Sequence, residues 1–160
     1  MFKIGDYIAH PMHGAGVIES IVTKKINGSQ RDYYVLKLPV GDMVVMVPVS
    51  GCENIGVRSI ISRSEAEKLF SAFSEIEISM TQNWNKRYRE NMDKIKSGNL
   101  LDVASVVKGL MCRDSERGLS TGERKMLHSA KQIIISELVI ATNMDYDGVE
   151  KRLCATLEER

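Results

Sequence analysis

The only tryptophan of this 160-residue chain, Trp84, is followed within five positions by three cations, Lys86, Arg87 and Arg89. A large flat side chain beside cationic groups suits contact with a phosphate-lined groove. Segment 81–96 carries five cations (Lys86, Arg87, Arg89, Lys94, Lys96) against two anions, Glu90 and Asp93. Asn83 is placed to cap a helix and Gly98 to end it. Trp84 is then the first helical residue, beside unpaired backbone N–H donors that favour an anion. A packing role competes with this reading. Trp84, Tyr88, Met92 and Ile95 recur at spacings of four, four and three, the stripe of a helix face turned to a core. The tryptophan stands at the end of that stripe, where an element leaves the core.

A second basic group, Arg124, Lys125, His128 and Lys131, falls in the first half of a later helix. It reads either as a solvated face or as an extension of the Trp84 surface, and the second option requires the two helix starts to lie close together. Nothing in the chain forms a catalytic constellation. His10 and His13, beside Pro11 and two glycines, shape a turn rather than bind a metal. Gly14-Ala15-Gly16 is too short for a phosphate loop, and no serine or cysteine sits in a nucleophile motif. Asp114, Glu116 and Glu123 read as capping and surface charge. The expectation is a protein that is not an enzyme and uses no cofactor or metal.

Two kinds of element must position these residues. Residues 1–60 have strand character, with a short first strand near 4–9 and apolar, β-branched runs at 16–26, 33–39 and 43–49. Pro11, Gly14 and Gly16 break the chain after the first strand. Asn27-Gly28 is a strong hairpin signal, and Gly41-Asp42 marks the next turn. Four or five short strands suggest a small Tudor- or SH3-like barrel. The run 43–47 is apolar on both faces, so it needs cover from the second half of the chain or from a partner that pairs with the strand edge.

From residue 62 the period changes to that of helices. Ser62 with Glu65 and Ser120 with Glu123 are capping boxes. Residues 75–82 link the first helix, with Ala66, Leu69, Phe70 and Phe73 inward, to the tryptophan helix. A third helix buries Val103, Val107 and Leu110, a fourth Leu127, Ala130, Ile134 and Leu138, and a last one, near 146–158, Val149, Leu153 and Leu157. The fold class is α+β: a small Tudor/SH3-like β-barrel over 1–60, then a compact all-α helical domain over 61–160.

Composition sets bounds. With 43% hydrophobic and 27% charged residues the chain reads as soluble and globular. A net charge of +1 excludes coating nucleic acid through bulk charge, so binding must use a local patch. No apolar run approaches the roughly 18 residues of a membrane span. The start, MFKIGDYIAH, lacks the apolar core of a signal peptide. Cys52, Cys112 and Cys154 read as free thiols in a reducing cytoplasm.

The stretches FKIGDYIAHPMHGAGVIESI (2–21), YYVLKLPVGDMVVMVPV (33–49), NWNKRYRENMDKIKSGNL (83–100) and RDSERGLSTGERKMLHSAKQII (113–134) resemble, in order and across nearly the whole chain, the CarD/CdnL family of bacterial RNA polymerase-binding transcription regulators. The resemblance implies a cytoplasmic protein, associated with the nucleoid through RNA polymerase, whose Tudor-like domain docks on the polymerase β subunit. Similar N-terminal domains occur in transcription–repair coupling factors, but this chain has no helicase motif. The resemblance also implies a helical domain that meets promoter DNA at the upstream edge of the transcription bubble and stabilises the open complex without strong sequence specificity. It makes Trp84 a minor-groove wedge and turns Lys86, Arg87, Arg89, Arg124 and Lys125 to the DNA backbone. Five such phosphate contacts would give a log–log salt slope of about −4.5.

On the polymerase side Lys24 matches a basic docking position. Met46 replaces an expected arginine, so docking is expected to lean on strand pairing and apolar contact through Val45, Met46 and Val47. A monomer is expected on the polymerase. The competing class is a protein-interaction adaptor of the polymerase that buries Trp84 and touches no DNA.

Overall fold

The computed structural model describes residues 1–39, 43–78 and 81–158, of which 156–158 as backbone. Five antiparallel strands form one sheet: β1 (Tyr7–His10), β2 (Gly14–Ile26), β3 (Ser29–Lys37), β4 (Val44–Pro48) and the short β5 (Arg58–Ser59), in the order β4-β3-β2-β1-β5. Asn27 and Gly28 both have positive φ, 49° and 80°, as the tight turn between two right-twisted strands demands. The expected Gly41-Asp42 turn lies outside the described residues. Strands β1 and β4 have two others between them, yet Ile8 and Val47 belong to one buried cluster with Ile18, Tyr34, Leu36, Leu38, Cys52 and Val57. A flat sheet would hold them roughly 14 Å apart at the usual strand spacing. The sheet therefore rolls over its apolar face, helped by an irregularity in the β2–β3 ladder between Ile18 and Ser20. This is the expected Tudor-like layer.

The helices follow: α1 (Arg63–Glu75), α2 (Trp84–Lys96), α3 (Leu100–Arg117), α4 (Thr121–Thr142) and α5 (Tyr146–Glu158). The side chains of Ser62, Asn83, Asn99 and Ser120 each accept a backbone N–H in the first turn of the helix that follows. At Ser62 the capping box with Glu65 is reciprocal. The helical core holds Phe70, Phe73, Ile95, Val103, Val107, Leu110, Ile134, Leu138, Val149 and Leu153. Leu157 lies outside the described side chains. Lys108 is also buried, and its Nζ donates to the carbonyls of Ser74 and Ile76 at 3.0 and 2.7 Å, closing the end of α1. No helix among the described residues is long and apolar enough to cross a membrane.

Helix α4 is central. Ala130, Ile134 and Leu138 form the expected buried row, with Leu127 half-buried, but every residue from Ile133 to Leu138 is buried. One face packs on the helices and another on the sheet, where the Ala15 N–H donates to Ser136 Oγ at 2.9 Å. Covered on two sides, this stretch buries Ser136 and Glu137 together with its apolar residues.

Candidate nucleic-acid interface

Asn83 caps α2 by accepting the Lys86 N–H at 3.0 Å, which makes Trp84 the first helical residue. The indole remains 42% exposed. It stacks on Tyr88, with ring centroids 5.1 Å apart and planes 23° from parallel. Its one polar handle, Nε1–H, donates to Ser120 Oγ at 3.0 Å. Ser120 is the N-cap of α4, so the tryptophan of one helix start touches the cap of another. Gly122, in the first turn of α4, lies against both rings; a Cβ there would sit 3.6 Å from each.

A buried ion pair lies behind the indole. Arg87 Nε donates to Glu123 Oε2 at 2.9 Å and Nη2 to Oε1 at 3.2 Å, while Nη1 donates to the carbonyls of Thr81 and Gln82. Both side chains are almost wholly covered. Ser120 Oγ donates to Glu123 Oε1 and accepts the Glu123 N–H, each at 3.2 Å. With the indole as a second donor, this hydroxyl uses its one proton and both lone pairs. The Trp84–Ser120 and Arg87–Glu123 links each span 36 residues, so the first turns of α2 and α4 run side by side in the same sense. Two positive helix ends then meet at one corner, which favours a bound anion. The second basic group thus does begin beside the first, as the extended-surface option requires.

Burial raises the Glu123 carboxyl pKa, but the hydrogen bond and charge of Arg87, with smaller help from Ser120 and Arg113, outweigh it and leave the group below its ordinary value. Glu123 therefore stays ionised and acts as the counter-charge that keeps Arg87 inside.

Arg87 must accordingly be moved from the expected DNA-facing set to the interior. It anchors the corner and offers no free edge to a phosphate. Lys86, Arg89, Arg124 and Lys125 are all exposed. Of the remaining basic group, His128 is exposed, whereas Lys131 is half-buried and paired with Glu150 at 3.3 Å. Arg113 on α3 is a member that no sequence signal singled out. It is half-buried, its charge reaches Glu123, and among the described residues its buried Nε has no hydrogen-bond partner.

Residues 68–154 match the sequence model of the "CarD, C-terminal domain", and residues 2–61 that of the "CarD-like/TRCF RID domain". The chain belongs to the CarD/CdnL family. A relative from Bacillus subtilis (strain 168), named "Putative transcription factor YdeB", is 37% identical over 140 residues, covering 88% of this chain and 92% of its own.

In this CarD/CdnL chain the sheet side departs from expectation. Lys24 is exposed on the β2–β3 ribbon, paired in register with Arg31. β4 is an edge strand, as a docking strand must be. Its side chains alternate: Val45 and Val47 pair with Leu36 and Tyr34 and face the sheet core, and Val47 is fully buried. Val47 and most of Val45 are thus removed from the expected docking surface. Met46, opposite Val35, is half-buried, and Met43 and Val44 are about half exposed. Cover from the second half of the chain reaches Met43, whose sulfur accepts from Gln132 Nε2 at 3.3 Å. His10 Nδ1 accepts the Met12 N–H at 3.0 Å, which is a turn contact.

Proposed function

We propose that this transcription regulator docks on the RNA polymerase β subunit through β4 and the β2–β3 ribbon, and stabilises the promoter open complex by setting Trp84 into the minor groove at the upstream edge of the bubble. The observation that carries the reading is an immobilised, part-exposed indole at the meeting of two helix N-termini, flanked by Lys86, Arg89, Arg124 and Lys125. Preorganisation matters because a side chain already fixed loses little entropy on insertion. Stacking of such a ring on a base is worth about 1–3 kcal/mol, a roughly five- to 150-fold shift of an equilibrium if felt only in the open state. Equal binding to closed and open promoter would shift nothing.

With Arg87 internal, four cations remain to meet phosphates, which gives a salt slope of about −3.6. Fourfold more salt then weakens DNA binding about 150-fold, and tethering to polymerase offsets this by raising the local concentration. The adaptor reading draws on the fact that more than half of the indole is covered and its N–H is satisfied within the protein. A photo-crosslinking residue in place of Trp84, in the polymerase–promoter complex, separates the two. Attachment to DNA at the upstream bubble edge is the expected result; attachment to protein alone would favour the adaptor.

A further inference from the structure

The middle of α4 is fixed to the sheet at two separate points. At the first, Gly14 and Ala15 open β2 directly against the helix. The Ala15 N–H donates to Ser136 Oγ, and this buried hydroxyl in turn donates to the Ile133 carbonyl at 3.0 Å. Gly14 has φ +96°, and a Cβ there would come within 2.4 Å of Ser136 Oγ and 3.2 Å of the Gln132 carbonyl oxygen. Only a glycine allows the strand this close. At the second point, the buried carboxylate of Glu137 accepts both Arg58 Nη1 and Nη2, at 2.7 and 3.0 Å, and also the Ile61 N–H at 2.9 Å. Arg58 lies in β5 and Ile61 just beyond it, where the chain leaves the sheet for α1. A planar, two-pronged guanidinium–carboxylate contact fixes orientation as well as distance.

Ser136 and Glu137 are adjacent on α4, so one helical turn holds both the start of β2 and the exit from β5. Ser120, which holds the indole, lies 17 residues before Glu137, at the N-cap of the same helix. At 1.5 Å per residue that is a rigid arm of about 25 Å. We propose that Glu137 and Ser136 are positioning residues: they lock α4 to the sheet so that the polymerase-docking strand and the Trp84 corner move as one rigid body. The inference rests on the docking-and-wedge reading above. Neither residue touches polymerase or DNA in it. Their role is to keep a weak DNA module aimed, because tethering helps only when linker geometry lets both sites be engaged together.

The test compares wild type with Glu137→Gln, which keeps size and shape but replaces a carboxylate oxygen by an N–H₂ that cannot accept. Residual dipolar couplings of the free protein should fit one alignment tensor for sheet and helices in wild type. In the variant the two halves should need tensors of different magnitude. Affinities for polymerase and for free DNA, each measured alone, should stay within about twofold, while the gain in open-complex lifetime falls about tenfold. Ser136→Ala, which removes only the hydroxyl, should act in the same direction more weakly and serves if Glu137→Gln does not fold. Separate tensors in wild type would overturn the proposal. So would a single tensor in both variants, or an undiminished lifetime gain with the halves uncoupled. If wild type itself gives no lifetime gain, the docking-and-wedge reading fails while the coupling measurement still stands.

Discussion

At the α2–α4 corner an exposed ring is held by buried charge; at the β4 edge an exposed backbone is held by buried valines. The corner depends on side chains that reach across 36 residues, from Trp84 to Ser120 and from Arg87 to Glu123. The edge depends on strand pairing with β3 and on alternate residues filling the sheet core. A surface of the first kind should fail when one internal group is removed, even if every exposed cation remains. A surface of the second kind should tolerate changes at outward positions for stability, and show them in binding.

The largest expected effect is at the corner's interior. Arg87→Met leaves the Glu123 carboxylate buried without its partner and should cost about 3–5 kcal/mol in urea unfolding. A cost no greater than that of Arg89→Ala would show that the pair does not organise the corner. The same pair predicts a pH response. Because the folded-state pKa of Glu123 lies below its ordinary value of 4.5, its contribution is fully present above about 4.5 and is lost as pH falls through the folded value. Trp84 emission should therefore hold steady from pH 7 to about 5 and shift below that; a Glu123→Gln variant should lack this transition. A shift near neutral pH would point to another group.

At the edge the two faces of β4 should separate cleanly. Val47→Ala opens a cavity in a small core and should lower stability by about 2 kcal/mol. Met46→Glu should leave stability nearly unchanged and weaken polymerase binding about tenfold, roughly 1.4 kcal/mol. Unchanged binding in Met46→Glu would remove apolar contact from the docking account. The smallest effect is at a single cation. Lys86→Ala should flatten the salt slope of DNA binding by about 0.9, a difference of only about 3.5-fold over a fourfold change in salt. An unaltered slope would take Lys86 out of the contact set.

Local signals in the sequence located the elements well, because a helix start is written in adjacent residues: Asn83 before Trp84, and Ser62 three positions before Glu65. The Asn27-Gly28 turn was legible for the same reason. Arg87 was not, because hydropathy reads a cation as exposed. The face of α2 that is fully buried is Arg87, Asn91 and Ile95, again at spacings of four, and two of those three are polar. Local hydropathy points instead to the Trp84–Tyr88–Met92 face, which stays partly exposed. β4 hid its alternation differently: a run apolar at every position from 43 to 47 does not say which side faces in, and pairing with Tyr34 and Leu36 settles it. Gly14 and Gly16 read only as a break after the first strand; the close approach to α4 was not legible, because its partner, Ser136, lies 121 residues on from Ala15.

The central claim is that a preorganised Trp84 acts on the open promoter. Its most direct test is open-complex lifetime on one promoter with cognate polymerase, measured without this protein, with wild type and with Trp84→Ala, at concentrations where both proteins saturate polymerase. The account predicts a longer lifetime with wild type that Trp84→Ala loses while still binding polymerase. Equal prolongation by both proteins would contradict it.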